Sequence, residues 1–332
     1  MNYNDIKKAL KNSAFSGVIS VVKEGQRVFL GEYGFADKAN EVPNRLDTRF
    51  GTASAGKVFI ATAILQMIGE GMIGFGTAIG DVLKIDLKRI DHRITVRQLL
   101  NHTSGIPDYF DESVMNDYEE LWRELPNYRI RSSSDLIPLF IDKPMMYRPG
   151  EKFQYNNTGY VVLGLIIEEL TGKPFDEYLQ QRIFDPCGMK DTGYFELDRL
   201  PAGCAYSYIY DEDGKTYRTN IFSVDAKGSG AGGAFMTAPD VERFWTALAD
   251  GRLVREDLLR EMFSPQVGEG IYGYGVWLID GRNGKVPSFQ GFDPGVSFMS
   301  SYDPEAQTII TILSNTGDDV ESIHDMIVDS CS

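Results

Sequence analysis

Ser54 and Lys57 stand three residues apart in Ser54-Ala55-Gly56-Lys57, at the head of an almost uncharged apolar run from Val58 to Gly69. On a helix, residues three apart are surface neighbours with side chains rooted about 5–6 Å from one another, so the lysine amine reaches the serine hydroxyl. A hydroxyl is a weak nucleophile until a base takes its proton. An amine at the edge of a buried helix suits that task, because desolvation lowers the pKa of a cation. The same letters allow two other readings. An N-cap serine beside a surface lysine would be purely structural. Gly51 to Lys57 also spells the opening of a phosphate-cradling loop, Gly, four residues, Gly-Lys. That motif needs Ser or Thr next, to hold magnesium, and finds Val58. The residues from Ser16 to Phe35 read as an antiparallel hairpin and not as the strand of a nucleotide fold.

A second candidate is Tyr155-Asn156-Asn157. As a bland loop it means nothing. As chemistry, the Tyr155 phenol accepts a proton if a nearby ammonium favours its phenolate, and the Asn157 amide donates to a substrate carbonyl. Lys57 would supply that ammonium. This gives a serine nucleophile a base without histidine, in a chain whose only histidines are His92, His102 and His324. Cys187, Cys204 and Cys331 lie far apart without metal-site spacing and read as structural thiols. No metal or other cofactor is expected.

The elements that position these residues follow from pattern. A short helix over Asn4 to Lys11 precedes strands over Gly17–Val22 and Arg27–Leu30. The run from Val58 to Glu70 has so little polar surface that it reads as a helix enclosed between layers. Further helices are expected over Thr95–Leu100, Leu136–Asp142, Gly159–Leu170 and from Pro174 toward Ile183, then over Pro239–Ala249 and Val254–Phe263. Asp213-Gly214 marks a hairpin. Strands over Tyr272–Ile279, Val296–Ser301 and Thr308–Leu313 and a helix over Asp318–Val328 complete the chain. Residues 1–75 and 222–332 are expected to form one mixed lobe from both chain ends. Residues 76–221 form a mostly helical insertion, with the active site in the cleft between them. Lys227-Gly-Ser-Gly-Ala-Gly-Gly-Ala234 is mobile unless packed.

The composition excludes some partners. A formal charge of -15 over 332 residues argues against a nucleic-acid backbone or an anionic membrane surface. The start lacks the apolar core of a secretion signal, and no stretch reaches membrane-span length uninterrupted, so a cytoplasmic location is expected unless a leader was removed.

Ser54-x-x-Lys57 and Tyr155-x-Asn157 are framed by Leu99-Leu-Asn-His-Thr-Ser-Gly-Ile106, Arg148-Pro-Gly-Glu-x-Phe-x-Tyr155 and Gly159-Tyr-Val-Val-Leu-Gly164. Ala231-Gly-Gly-Ala-Phe-Met-Thr237, Asp240-Val-Glu-Arg-Phe244 and Asp293-Pro-Gly-Val-Ser297 follow in order. Together these resemble the serine β-lactamase and penicillin-binding superfamily, particularly its class C-like and esterase branch, over roughly residues 15 to 330. The resemblance implies an α/β (α+β) fold with a five-stranded, largely antiparallel sheet flanked by helices and a mostly helical second lobe. It implies an acyl-enzyme on Ser54, proton transfer shared by Lys57 and Tyr155, and a substrate oriented by Asn157. The oxyanion would be held by the backbone N–H groups of Ser54 and Phe292, with Gly291 allowing close approach to that strand.

One motif departs from the pattern. Relatives carry Lys-Thr-Gly or His-x-Gly where this chain has Phe289-Gln290-Gly291. Phe289 neither pairs with a carboxylate nor relays a proton, and Gln290 offers only an amide. An apolar neighbour of the substrate favours a neutral ester or amide over a penicillin or a D-alanine carboxylate. His102 is expected to cap and pack its turn, and the Asp293 carboxylate to hold the backbone of its own turn. The leading expectation is a serine hydrolase for small ester, amide or peptide-like substrates. The alternatives are a β-lactamase or D-alanyl-D-alanine peptidase, and a noncatalytic ligand- or peptide-binding homologue.

Overall fold

The computed structural model describes residues 3–11, 13–123, 125–268, 270–281 and 284–330. Cys331 lies outside them. Helix α1 (Tyr3–Lys11) leads into strands β1 (Gly17–Lys23) and β2 (Gln26–Tyr33), joined by a tight turn. The long buried helix α2 (Lys57–Gly69) follows, then α3 (Val96–Leu100) and α4 (Asn157–Thr171). The last third contributes α5 (Ala238–Ala249), strands β3 (Trp277–Asp280), β4 (Lys285–Asp293), β5 (Val296–Asp303) and β6 (Thr308–Ser314), and α6 (Val320–Ser330). The sheet runs β2-β1-β6-β5-β4-β3 with every pair antiparallel.

The first strand of the chain pairs with its last, Ile19 facing Ile312 and Ser20 facing Thr311. Both strands are rich in β-branched residues and buried on both faces, as central strands should be. Alternation sends Val18, Phe298 and Leu313 into the larger core with α2 and α5. Ile19, Met299 and Ile312 go to the opposite face, where Ile6 and Leu10 of α1 and Ile323 and Ile327 of α6 cover them.

Helix α2 is enclosed, as its composition predicts: every residue from Lys57 to Leu65 is buried. Three expectations change. The sheet has six strands where five were expected, and the segment expected to be a strand from Tyr272 joins the ladder only at Trp277. Gly275 has φ +72°, and a Cβ there would lie 2.5 Å from the Ala61 Cβ. The chain therefore drops onto α2 before turning out to its strand. The middle region is also less helical than expected: Leu136 to Asp142 yields a 3-10 stretch, Ser133–Leu139, with Pro138 inside it. Proline lacks the N–H that an α-helix interior needs there.

Candidate active site

Ser54 occupies a 3-10 turn, Ala53–Gly56, that runs directly into α2. Ala53 has φ +48°, a left-handed conformation that a residue with a Cβ adopts only when its surroundings impose it. The surroundings are a backbone clamp. Thr52 donates its N–H to the Ala234 carbonyl at 2.9 Å, and Gly233 donates to the Ala53 carbonyl at 2.9 Å. The glycine-rich stretch is thus packed against the nucleophile. A Cβ on Gly232 would sit 2.4 Å from the Ala53 oxygen, so only glycine permits this approach.

The Lys57 Nζ lies 2.8 Å from Ser54 Oγ, 2.8 Å from Asn157 Oδ1 and 2.5 Å from the Ala231 carbonyl oxygen. The side chain is 2 % exposed. Desolvation outweighs the pull of Glu112, Asp108 and Asp293 and pushes its pKa down to about 8. Two of the three partners are carbonyl oxygens, which only accept. When Lys57 loses a proton, its two remaining N–H groups stay with Asn157 and Ala231. The lone pair is then aimed at Ser54.

Tyr155 is half-buried and hydrogen-bonds Ser54 from the other side. Its ring stacks on Trp277 at 5.6 Å and 18°, and lies 4.5 Å from the His102 ring. Burial pushes its hydroxyl well above the usual phenol range, with Tyr272 and Glu112 adding to the rise. The expected phenolate is therefore disfavoured despite the Lys57 ammonium 5.0 Å from the ring centre. His102, in a turn with φ +59°, accepts the Asn156 N–H at 3.1 Å through Nδ1 and is 1 % exposed. It packs the turn as expected and braces Tyr155 from beneath.

Asn157 is the first residue of α4, two residues earlier than the pattern indicated, because the Asn156 side chain caps the helix by accepting the Gly159 N–H at 2.8 Å. Asp108 completes this end: its carboxylate accepts the N–H groups of Asn157 at 2.8 Å and Thr158 at 3.0 Å. The Asn157 Nδ2, expected to donate to substrate, instead donates to the Phe110 carbonyl at 3.2 Å and to Glu112 at 3.1 Å. In this state Asn157 holds Lys57.

Strand β4 lies against the nucleophile turn. A Cβ on Gly291 would be 2.2 Å from the Thr52 oxygen and 2.6 Å from the Ser54 nitrogen. This brings Phe292 and Ser54 to the wall of one cavity of about 490 Å³. Phe289 requires a correction. It is 1 % exposed, with its ring 5.0 Å from Trp245, 5.8 Å from Phe244 and 5.3 Å from Phe298, and it does not line the cavity. It packs as a core residue, where the sequence suggested a position open to the cleft. Gln290, paired with Met299, points to the opposite face of the sheet from Gly291. Asp293 also differs from expectation: no described residue pairs with its carboxylate, which borders the cavity. Sequence reasoning missed Ala231, Asp108, Glu112 and Asp225, whose roles rest on long-range approach.

The model of the beta-lactamase family matches residues 4–327. The chain belongs to that family. Among solved structures, this family member resembles a penicillin-binding protein from Bacillus halodurans, with a TM-score of 0.92 and 37% identity, covering 98% of this chain and 99% of that one. A penicillin-binding protein of Bacillus subtilis (strain 168) is 29% identical over 329 residues, 92% of this chain and 69% of that protein. A D-aminopeptidase of Brucella anthropi is 34% identical over 187 residues, 54% of this chain and 34% of that protein. No helix among the described residues is long and apolar enough to cross a membrane.

Proposed function

We propose that this beta-lactamase family member is a serine hydrolase that opens small amide or ester substrates through an acyl-Ser54 intermediate. The observation that carries the reading is the Lys57 amine, held by the Asn157 and Ala231 oxygens with its third position on Ser54 Oγ at 2.8 Å. With Lys57 neutral, Ser54 Oγ attacks the carbonyl carbon while its proton passes to Nζ. The oxyanion forms between the Ser54 and Phe292 N–H groups. Collapse breaks the C–N or C–O bond. The leaving amine or alcohol takes a proton from the Tyr155 hydroxyl, and the Lys57 ammonium returns a proton to the Tyr155 oxygen, so that both groups are neutral again. Water then attacks the acyl carbon, loses its proton to the same pair, and releases Ser54 and a carboxylic acid. Burial supports these roles, since a neutral phenol is a donor and a depressed lysine a base.

The noncatalytic alternative rests on the altered third motif, and Phe289 does not line the cavity that holds Ser54. Intact-mass spectrometry after exposure to a fluorophosphonate, a p-nitrophenyl ester and a penicillin tests the reading, with Ser54→Ala in parallel. A fluorophosphonate adduct and ester turnover, both lost in Ser54→Ala, are expected. Neither occurring in the wild-type chain would refute the hydrolase. A stable penicillin adduct would move the assignment to a penicillin-binding protein.

A further inference from the structure

We propose that the substrate of this cleft is an uncharged ester or amide with a linear apolar chain longer than butyryl, received by the apolar wall beside Ser54 and by the apolar side chains at its mouth. The inference rests on the acyl-Ser54 reading and adds to it the kind of group that the reacting carbonyl carries. The nucleophile decides which bond opens. The wall decides which molecules bring that bond to it.

The cavity that holds Ser54 encloses about 490 Å³, within the range of sites for drug-sized ligands. Much of its wall is hydrocarbon. Phe110 and Met115 line it from one segment, Phe195 and Leu200 from a second, Ile221 and Val224 from a third, and none of these side chains is fully buried. Covering such surface is favourable in proportion to the apolar area withdrawn from water. The apolar character continues outward. Phe292 and Tyr206 line the cavity and are exposed. The two most exposed large apolar side chains among the described residues, Phe222 at 76 % and Val114 at 73 %, stand next to Ile221 and Met115 in the chain. Phe222 is held in that position: Ser223 donates to Glu119 at 2.6 Å, and its carbonyl accepts the Trp122 indole N–H at 3.0 Å. Exposed apolar surface gathered at the mouth of a cleft marks a ligand that covers it.

The charges on the wall favour an uncharged guest. No lysine, arginine or histidine lines the cavity among the described residues, so nothing on the wall receives a ligand carboxylate. Its ionisable side chains include the carboxyls of Asp225 and Asp293. Burial pushes Asp225 up to about 7, and burial followed by repulsion from Asp225 pushes Asp293 up to about 8. Near pH 7 these two groups are therefore half or more protonated, and a ligand carboxylate would only add repulsion. Several polar groups of the wall already have partners. The Asn157 and Asn220 amides donate to the Phe110 and Pro294 carbonyls at 3.2 Å and 3.1 Å, and the Tyr118 hydroxyl donates to Asp225 at 3.1 Å. Apolar area then decides the selection. A linear chain suits a wall that runs from the cavity out to its rim.

The test uses the full chain with p-nitrophenyl acetate, butyrate, octanoate and laurate, each below its critical micelle concentration, and Ser54→Ala as the blank. Burying one methylene is worth roughly two- to fourfold, so Ser54-dependent kcat/KM should rise from butyrate to octanoate by about tenfold or more, chiefly through KM. Octyl acetate beside ethyl acetate places the chain on the leaving alcohol, and a rise in one series alone assigns the apolar wall to that side of the carbonyl. p-Nitrophenyl hydrogen suberate, which ends the octanoate chain in a carboxylate, should fall back to the butyrate rate or below. Phe222→Ser, at an exposed position, should shrink the octanoate-to-butyrate ratio severalfold with an unaltered thermal melt, and Leu200→Gln on the wall should act in the same direction. Ser54-dependent turnover that is flat or falls with chain length in both series, or a suberate ester as good as the octanoate, overturns the chain inference while leaving the hydrolase standing. Absence of Ser54-dependent turnover with every ester together with absence of a fluorophosphonate adduct refutes both.

Discussion

Asn157 Oδ1 accepts a hydrogen bond from Lys57 Nζ at 2.8 Å, joining the first residue of α4 to the first residue of α2 across 100 positions of sequence. Because the amide oxygen cannot donate, it fixes which way the amine presents its lone pair when neutral. That contact turns the amine toward Ser54, the orientation that the proposed base role of Lys57 requires.

The first prediction concerns pH. Lys57 acts as a base only when neutral, and its pKa lies at about 8. Acylation by a neutral ester should therefore rise with pH through that value and level off above it. Asn157→Asp places a carboxylate against the ammonium, which raises the lysine pKa by roughly 1–3 units. The alkaline shift should appear in the kcat/KM profile of the variant, with at least about a tenfold loss at pH 7. A profile flat from pH 6 to 9 in the wild-type enzyme would contradict Lys57 as the base.

Gly291→Ala tests the oxyanion arrangement. The added methyl would lie 2.2 Å from the Thr52 oxygen and 2.6 Å from the Ser54 nitrogen, so β4 must back away from the turn. Displacing one donor should lower kcat by about 10²–10³. Stopped-flow acylation beside a thermal melt separates this from unfolding; wild-type acylation in a folded variant would remove β4 from the hole.

Phe289 yields the opposite pattern. Its ring fills a buried aromatic cluster with Trp245, Phe244 and Phe298. Phe289→Ala should lower unfolding free energy by about 3–5 kcal/mol, the usual range for a buried phenylalanine. Phe289→Leu, which keeps most of the volume, should retain kcat/KM within about threefold. Denaturant titration and steady-state kinetics give both numbers. Phe289→His should not install a third-motif imidazole, since the position faces the core.

Asp225 should cost stability where it is ionised. Its pKa is pushed up to about 7, whereas an unfolded aspartate titrates near 3.9. As pH rises between those values the unfolded chain has lost its proton and the folded one has not, so the folded state loses stability. Asp225→Asn should therefore be neutral at pH 4 and stabilising by about 1 kcal/mol at pH 8, a modest figure because the residue is only half-buried. Urea titrations at the two pH values check the difference, and a gain of equal size at both would rule out the charge as its source.

The sequence alone determined the local parts of this protein. The uncharged run after Lys57 specified a buried helix, the β-branched strands specified a central sheet, and the short spacing of Ser54 to Lys57 specified contact, because each depends on residues within a turn or two of one another. The order of motifs then indicated the family. Only the tertiary structure decided what those parts confront. Phe289 shares its face of β4 with Gly291. Whether it meets the cavity or the core depends on what packs over that point of the face, Trp245 and Phe244 of α5 here, which letters in a strand do not reveal until the sheet is assembled. The Ala231 carbonyl that holds Lys57 is a backbone atom, invisible to residue type. Glu112, Asp225 and Asp293 form one acidic wall because two loops and the end of β4 meet at a common cavity. Their electrostatics follow from distance and solvent exclusion, and both arise only when the chain is folded.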